Sequence, residues 1–386
     1  MTQLSDDQVV ALEAIQSAMS RGDRTMVLVG PAGSGKTTLM RSVVAAVEDD
    51  GARRVVLICP TGKAATVLAG KTDRPATTIH LYGSHDDEGE ELVFGDPGAP
   101  CGEGDLLVCD EASMVGSEIH NDLMEWLPAS AQLLYVGDRE QLEPVNDTWG
   151  PDFDLPTAAL VEVHRQASES PIIRLATAIR TGRPFAEWEP WRCERIEGGD
   201  PSAWLVDRMR EGDDAVLITF TNKMRQDINA RVRAMLGYHG DPKIGEPLLV
   251  LANNYECGLM NGEVAHIERG QVCKKKSGHY RTAKVRLTGG IMARVNLDLM
   301  GRPVRDFNEW IRTMRRHRRE TKDILHVDFG YCLTVHKAQG SEWRSVGFVS
   351  CPATRNLRDH DFRRRLGYTA VTRARERLVI FRTGRA

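Results

Sequence analysis

The stretch TMVLVGPAGSGKTTLM, residues 25–40, decides the fold. A short apolar strand at 26–29 runs into a glycine-rich loop, and a helix-forming segment follows. Residues 30–37 match the pattern G-x-x-x-x-G-K-[ST], and they do so between a strand and a helix, which is the context that the pattern requires. The stretch therefore predicts a nucleotide-binding loop in an α/β domain.

The chemistry of this loop suits a polyphosphate. Glycines allow backbone N–H groups to converge on phosphate oxygens, and the N-terminus of the following helix favours negative charge. Lys36 is predicted to reach the outer phosphates, and the Thr37 hydroxyl to ligate Mg²⁺. The predicted nucleotide contacts of the loop are Gly30, Pro31, Ala32, Gly33, Ser34, Gly35, Lys36, Thr37 and Thr38.

A second apolar strand, DLLVCDEAS at 105–113, ends in two adjacent acids. Asp110 is predicted to hold Mg²⁺, and Glu111 to orient and deprotonate an attacking water. A third strand, QLLYVGD at 132–138, leads to Gln141, which could contact the γ-phosphate or the water. An acid-rich helix start is common by itself, but beside a phosphate loop it predicts a hydrolysis site.

These strands, together with RRVVLICPT at 53–61, alternate with helical stretches. The alternation predicts an α/β fold in which a parallel sheet has helices on both faces. Ligands of such sheets lie at the carboxyl ends of the strands, where all of the residues above fall.

Composition narrows the class of protein. The 386 residues predict two to three domains, and no apolar run reaches the 18 residues of a membrane span. The N-terminus lacks the apolar segment of a secretory signal, and the eight cysteines are scattered without a C-x-x-C pair. We expect a cytoplasmic protein of a bacterial or phage-infected cell, without a zinc site, disulfides or domains appended before the first strand.

Charge is distributed unevenly along the chain. Residues 1–150 hold 10 Lys and Arg against 25 Asp and Glu, whereas the remainder holds 41 against 29. A basic second part is compatible with a polyanionic partner, although solvated basic faces would give the same count.

Further polar groups stand at predicted strand ends. CPTGKAA at 59–65, ATTIH at 76–80 and DAVLITFTNKMRQDIN at 214–229 each follow or contain such an end, and LTVHKAQGSE at 333–342 is another. The side chains or glycines concerned are Thr61, Gly62, Lys63, Thr78, His80, Thr221, Asn222, Thr334, His336, Lys337, Gly340 and Glu342. Hydroxyl, imidazole and ammonium groups can donate to phosphates, and a glycine lets the backbone approach a ligand closely.

In order and wording, these segments resemble the superfamily 1 (1B) DNA helicases of the RecD/Dda-like family. The matching stretches are DDQ, GPAGSGKTT, PTGKAA, TTIH, DEAS, GDREQL, HRQ, TNKMRQDIN, TVHKAQGSE and YTAVTRAR, which lie between residues 6 and 377. The resemblance implies a monomeric 5′-to-3′ DNA motor that uses ATP and Mg²⁺, with two RecA-like domains and ATP between them. It implies single-stranded DNA and duplex junctions as partners, and it leaves room for a single-strand binding protein.

The resemblance also assigns roles to individual residues. Arg165 and Arg373 match arginines that reach the γ-phosphate from the second domain, and Gln8 matches the residue that reads the adenine edge. Gly340 and Glu342 would lie on the nucleotide side, with Glu342 accepting from the ribose hydroxyl. The polar strand-end residues at 61–63, 78–80, 221–222 and 334–337 would contact single-stranded DNA.

The resemblance predicts two insertions. The expected organisation is a first RecA-like domain at 1–83 and 106–150, a small pin-like hairpin at 84–105, a second RecA-like domain at 151–239 and 326–386, and an SH3-like β-barrel at 240–325. Phe94, at the apolar end of EELVF, would stack on the last base pair or simply pack the hairpin. A flexible acidic loop at 84–105, and a solvated helix at the basic run 312–320, remain open alternatives.

Two other functions compete with a helicase that acts in replication, repair or recombination. A translocase stimulated by single-stranded DNA could remodel protein–DNA complexes without unwinding duplex. A small-molecule kinase would share the phosphate loop, but it leaves TVHKAQGSE and the two arginine-bearing segments unexplained.

Overall fold

The computed structural model describes most of the chain, in two compact units, 1–184 and 185–386. The described residues are 4–49, 51, 53–83, 101–144, 147–162, 169–252, 254, 257–259, 261–277, 280–298, 300–302 and 324–383. Phe94, Arg165 and the basic run 312–320 lie outside them. Among the described residues, no helix is both long and apolar enough to cross a bilayer.

The first unit is built on a six-stranded sheet whose neighbouring strands all pair in parallel. In the order of the chain, the strands are β1 (Thr25–Val29), β2 (Val55–Cys59), β3 (Ala76–Thr78), β4 (Leu106–Cys109), β5 (Gln132–Gly137) and β6 (Ala158–Ala159). Across the sheet the order is β3-β2-β4-β5-β1-β6. The four strands predicted from apolar runs are confirmed, and β3 and β6 are additional.

Helices cover both faces of this sheet. They are α1 (Asp6–Arg21), α2 (Lys36–Asp49), α3 (Gly62–Thr72), α4 (Ile79–Gly83) and α5 (Ser117–Trp126). A further helix of this unit is α6 (Pro171–Thr181). Along β1, Met26 and Leu28 join one buried cluster, and Val27 and Val29 join the cluster on the opposite face. Since successive strand residues point to opposite faces, an apolar run buried on both sides is what a parallel sheet requires.

The second unit has its own parallel sheet of five strands, in the order β15-β8-β16-β17-β7. These strands are β7 (Cys193–Glu197), β8 (Ala215–Thr219), β15 (Cys332–Thr334), β16 (Trp343–Ser350) and β17 (Ala374–Arg382). The helices of the unit are α7 (Pro201–Arg210), α8 (Asn222–Met235), α9 (Val335–Ala338), α10 (Pro352–Arg355) and α11 (His360–Val371).

A mixed sheet interrupts the second unit between β8 and β15. Its strands are β9 (Pro247–Val250), β10 (Val264–Ser277), β11 (Tyr280–Leu287), β12 (Met292–Asn296), β13 (Ile324–Leu325) and β14 (Val327–Phe329). They are ordered β13-β12-β11-β10-β9-β14 and pair antiparallel, except that β12 and β13 are parallel. The short strands predicted here are confirmed, and we call this sheet the insertion sheet; an SH3-like barrel stays a prediction.

The division into units differs from the predicted domain boundary at 150/151. Residues 151–184 fall in the first unit, where β6 extends the first sheet by pairing with β1. The reason lies in the backbone, because β1 has a second edge and the Ala158–Ala159 segment supplies the pairing. The limits of the predicted subdomains stay predictions.

Candidate functional site

The glycine-rich loop at 30–35 joins β1 to α2 and is shaped by its glycines. Gly33 and Gly35 have φ values of 81° and 79°, in the left-handed region that favours glycine. A Cβ atom at Gly30 would lie 2.5 Å from the Ser34 Oγ atom. The loop is therefore tightly packed at Gly30. The Lys36 Nζ donates to the carbonyl oxygens of Gly30 (2.6 Å) and Pro31 (3.1 Å).

Ser34 carries a buried hydroxyl without a partner in this loop. Its side-chain oxygen is buried, the residue is 1% exposed, and no group of the described residues hydrogen-bonds to that oxygen. A buried hydroxyl left unpaired is costly. Together with Lys36 and the N-terminus of α2, it fits a loop that receives phosphate oxygens.

Asp110 and Glu111 follow β4, two strands across from β1 in the sheet. Asp110 Oδ1 accepts from the backbone N–H of Glu111 at 2.9 Å. Glu111 adopts φ 53°, which is uncommon for a residue with a long side chain. Strained backbone of this kind concentrates at functional sites. The role of Glu111 as a base stays a prediction.

The electrostatics of Asp110 fit a cation site. Burial and the neighbouring Glu111 carboxylate raise the pKa of Asp110 to about 6, although Lys36 and Lys71 act to lower it. Two neighbouring, half-buried carboxylates favour a bound cation, because a cation offsets their mutual repulsion. Carboxylate and hydroxyl oxygens, from Asp110 and Thr37, are the ligands that Mg²⁺ prefers.

Gln141 follows β5, the strand between β4 and β1. It is 6% exposed, and its side-chain oxygen accepts from Ser113 Oγ at 3.5 Å. Asp138, which is 2% exposed, accepts from the Glu140 backbone N–H at 3.0 Å and shapes the same loop. Sequence reasoning named neither Ser113 nor Asp138, although both stand within the quoted segments DEAS and GDREQL.

Gln8 is held in place at the base of the glycine loop. It is 1% exposed, its side-chain N–H donates to the Gly35 carbonyl at 3.2 Å, and its oxygen accepts from the Ser5 backbone N–H at 3.0 Å. A glutamine on a helix surface would be solvated, whereas this one spans from α1 to the loop. The predicted adenine contact is untested, but the position beside the loop agrees with it.

The other polar strand ends of the first unit lie on the same edge of its sheet, because all of its strands are parallel. Thr61 follows β2 and caps α3 by accepting from the Ala64 N–H at 3.2 Å. Thr78 ends β3 and accepts from the Leu81 N–H at 3.3 Å. Gly62 and Lys63 open α3, and His80 lies exposed on α4.

The second unit gathers a matching set of strand ends. Thr221, after β8, caps α8 by accepting from the Met224 N–H at 3.2 Å. Thr334, at the end of β15, caps α9 by accepting from the Lys337 N–H at 3.4 Å. β8 and β15 are adjacent, and Thr219 is in register with Thr334. The two capping threonines therefore lie at neighbouring positions on one edge of the sheet.

His336 and Lys337 are both restrained by neighbours on this edge. The His336 ring stacks on Phe362 with centroids 6.3 Å apart. Burial, and the Lys337 charge, lower the pKa of His336. The Lys337 ammonium donates to the Asn261 side-chain oxygen in the insertion sheet's β9–β10 connection.

Arg373 is buried within the second unit, beside Gly340. Its Nε donates to the Thr369 carbonyl at 3.0 Å and its Nη1 to the Ser341 carbonyl at 3.4 Å. Gly340 has φ 68°, which explains a glycine there, and Glu342 is exposed. Its companion arginine at 165 lies outside the described residues.

Two family profiles match the chain. The family profile described as AAA domain matches residues 3–191, and that described as UvrD-like helicase C-terminal domain matches residues 329–381. The two profiles cover the segments that hold the candidate residues, except Thr221 and Asn222.

Two curated proteins resemble the chain in sequence. The ATP-dependent RecD2 DNA helicase of Deinococcus radiodurans is 31% identical over 396 residues, which are 97% of this chain and 48% of that protein. The ATP-dependent DNA helicase dda of Enterobacteria phage T4 is 28% identical over 207 residues, which are 51% of this chain and 45% of that protein. The chain thus spans about half the length of these relatives.

Solved structures share the fold at lower identity. One is a structure of two coordinating Pif1 helicases that concerns DNA unwinding at forked duplex DNA. Its TM-score is 0.57 at 17% identity, over 98% of this chain and 92% of that one. The Bacteroides Pif1 helicase in complex with ADP-AlF3 and ssDNA has a TM-score of 0.53 at 17% identity, with the same coverage. The α/β fold with parallel sheets is therefore that of a Pif1-like helicase.

Proposed function

We propose that the chain is an ATP-dependent motor that translocates on single-stranded DNA and unwinds duplex. The proposal rests on its similarity to the RecD/Dda-like helicases of superfamily 1. The relatives named above are ATP-dependent DNA helicases, and a solved relative holds ssDNA with ADP-AlF3. The proposed direction is 5′ to 3′, which rests on the family resemblance.

One observation carries the proposal. At one edge of the first sheet, the glycine loop with Lys36 and the unpaired Ser34 hydroxyl stands with the Asp110–Glu111 pair and Gln141. That set contains a phosphate cradle, a cation ligand and a base, which is what hydrolysis of a nucleoside triphosphate needs.

Each group has a proposed step. Lys36 and the loop N–H groups bind the outer phosphates, and Thr37 with Asp110 would hold Mg²⁺. The bound ion supplies charge neutralisation at the phosphate oxygens. Glu111 accepts the proton of the attacking water while Gln141, held by Ser113, orients that water. Arg373 and Arg165 are proposed to stabilise charge on the γ-phosphate, as in the family.

The proposed DNA contacts lie at the polar strand ends of both units. Thr61, Gly62, Lys63, Thr78 and His80 belong to the first, and Thr221, Asn222, Thr334, His336 and Lys337 to the second. Capping threonines at helix N-termini support this role, because the N–H groups beside them attract phosphates.

ATP hydrolysis with and without oligodeoxythymidylate tests the proposal, with Lys36→Ala as the inactive control. We expect strong stimulation by the oligonucleotide in the wild type and no turnover in the variant. Turnover that ignores the oligonucleotide would favour a phosphotransferase instead. Displacement of one strand from a forked duplex, with a 5′ or a 3′ tail, then separates a helicase from a translocase that remodels protein–DNA complexes.

A further inference from the structure

A group of polar and charged side chains, in which Arg225 and Asp328 are buried, joins the insertion sheet to the strand-end edge of the parallel sheet of the second unit. We call it the Arg225 cluster, and its members are Asn222, Arg225, Asn261, Asp328 and Lys337. Arg225 lies in the first turn of α8, Asp328 in β14, Asn261 just before β10, and Lys337 in α9. Sequence reasoning considered only Asn222 and Lys337.

Arg225 is engaged on two of its three nitrogens. Its Nη2 lies 2.8 Å from Asp328 Oδ2, with both side chains 4% exposed, and its Nε donates to Asn222 Oδ1 at 3.3 Å. The buried Nη1 has no hydrogen-bond partner among the residues that the structure describes. A buried guanidinium N–H without an acceptor is costly and indicates a missing one.

Asp328 is already shared with the backbone. Its Oδ1 accepts from the N–H groups of Gly301 and Phe329, both at 2.8 Å. One carboxylate therefore serves Arg225 and two backbone donors at once. Its charge balances that of Arg225.

Lys337 brings a second cation. Burial and the Arg225 charge both lower the pKa of Lys337, to about 8, so the ammonium is less stable in the protein than in water. Its acceptor is a neutral amide oxygen, that of Asn261. Arg225 and Lys337 lie close enough for the charge of one to lower the pKa of the other, and two neighbouring cations are expected to attract an anion.

The backbone favours the same ligand. α8 begins at Asn222, directly after its Thr221 cap, so the positive end of a 14-residue helix lies beside Arg225. The loops after β8 and β15 leave adjacent strands, which brings the α8 start next to the segment that carries Lys337.

We propose that the Arg225 cluster is a phosphate-binding site, in which Arg225 and Lys337 together hold one backbone phosphate of single-stranded DNA and Asn261 holds Lys337 until that phosphate arrives. This inference rests on the proposed function and adds Arg225 and Asn261 to it. It also gives the insertion sheet a part in binding, because Asp328 and Asn261 both belong to that region.

The charge of the Arg225 cluster can be made more negative or more positive by exchanging Asn and Asp, which have side chains of nearly the same size. Asn261→Asp adds a carboxylate beside Lys337, and we expect affinity for oligodeoxythymidylate to fall about tenfold, with the salt slope reduced by about one phosphate. Asp328→Asn removes the carboxylate opposite Arg225, and we expect affinity to rise. Both affinities are measured by fluorescence anisotropy at several NaCl concentrations, and melting temperatures identify any variant that fails to fold.

Asn121→Asp is the charge-matched control, since Asn121 is exposed on α5 of the first unit. If Asn261→Asp weakens binding no more than Asn121→Asp does, the cluster is not a phosphate site. Should Asp328→Asn not fold, the comparison of these two variants still decides. A wild-type protein that does not bind the oligonucleotide would overturn the proposed function itself, which is a separate result.

Discussion

Among single residues, Glu111 combines an unusual backbone conformation with a proposed catalytic role. Its left-handed φ of 53° follows directly on the half-buried Asp110, whose carboxylate accepts from the Glu111 N–H. In the proposed mechanism, Asp110 holds the cation and Glu111 accepts the proton of the water.

Glu111→Gln should therefore separate binding from turnover. The amide keeps the size of the side chain but cannot accept a proton, so we expect hydrolysis to fall by roughly 10²–10⁴-fold. Affinity for a fluorescent ATP analogue in Mg²⁺ should stay within a few fold of the wild type. Wild-type turnover in this variant would assign the base elsewhere, and Asp110→Asn, expected to weaken the Mg²⁺ requirement as well, is the companion measurement.

Lys337 gives a pH dependence whose sign can be stated. Its pKa in the free protein is lowered to about 8 from an ordinary 10.5, so it loses its proton as the pH rises through 8. If it binds phosphate as an ammonium, affinity for single-stranded DNA should fall between pH 7 and 9. Its contribution to folding has the opposite sign, because the unfolded chain binds more protons between these pKa values and stability therefore rises with pH.

The measurement compares the wild type with Lys337→Gln by anisotropy across that pH range. We expect the fall in affinity to be steeper in the wild type. Parallel curves would mean that the DNA does not contact Lys337.

The residue scale also marks where sequence reasoning stops. Lys36, Asp110 and Gln141 were predicted because each stands in a short segment whose neighbours already define its role. Arg225 and Asn261 were not, since their partners Asp328 and Lys337 lie far away in the chain. Such pairs depend on tertiary packing, and a single arginine in a polar helix start carries no local signal.

At the scale of elements, the strands were predictable where they are buried on both faces. β1, β2, β4 and β5 are apolar runs bounded by turn residues, and their positions are confirmed to within a few residues. β3 and β6 span only three and two residues, too short for any periodicity. They exist because a neighbouring strand offers a free backbone edge.

Helix α11 shows how one cap supports a functional element. Asp359 Oδ1 accepts from the N–H groups of Asp361 (3.0 Å) and Phe362 (2.9 Å), which start the helix that ends just before Arg373. Asp359→Ala should cost about 1 kcal/mol of stability and lower the melting temperature by roughly 2–4 °C. Asp361→Ala removes an exposed ion pair with Arg364 and serves as the control, with a smaller expected loss.

Equal losses in the two variants would show that the cap contributes no more than a surface charge. Differential scanning fluorimetry at low and high salt separates them further, because the ion pair weakens with salt and the cap does not.

At the scale of the whole molecule, the acidic first part and the basic second part predict a steep salt dependence. The chain as a whole carries a net charge of -3, so its average charge gives no reason to expect binding to a polyanion. The excess of 41 basic over 29 acidic residues after position 150 gives a reason to expect such binding. Raising NaCl from about 50 to 200 mM should weaken oligonucleotide binding by an order of magnitude or more.

Anisotropy titrations over that range give the slope of affinity against salt, from which the number of phosphates neutralised follows. A slope near zero would mean that the basic residues form solvated faces and do not contact the nucleic acid.

The strand order of the second sheet has a consequence for how the protein is made. Among the described strands, β7 pairs with β17 alone, and β17 follows the other four strands of this sheet in the sequence. Both neighbours of β8 come after the insertion sheet. During synthesis, β7 and β8 emerge from the ribosome before the strands that pair with them. β10, β11 and β12, in contrast, can pair as soon as they emerge. We expect the interrupting segment to fold before the sheet that it interrupts, and the nascent chain to depend on chaperones until β17 has emerged.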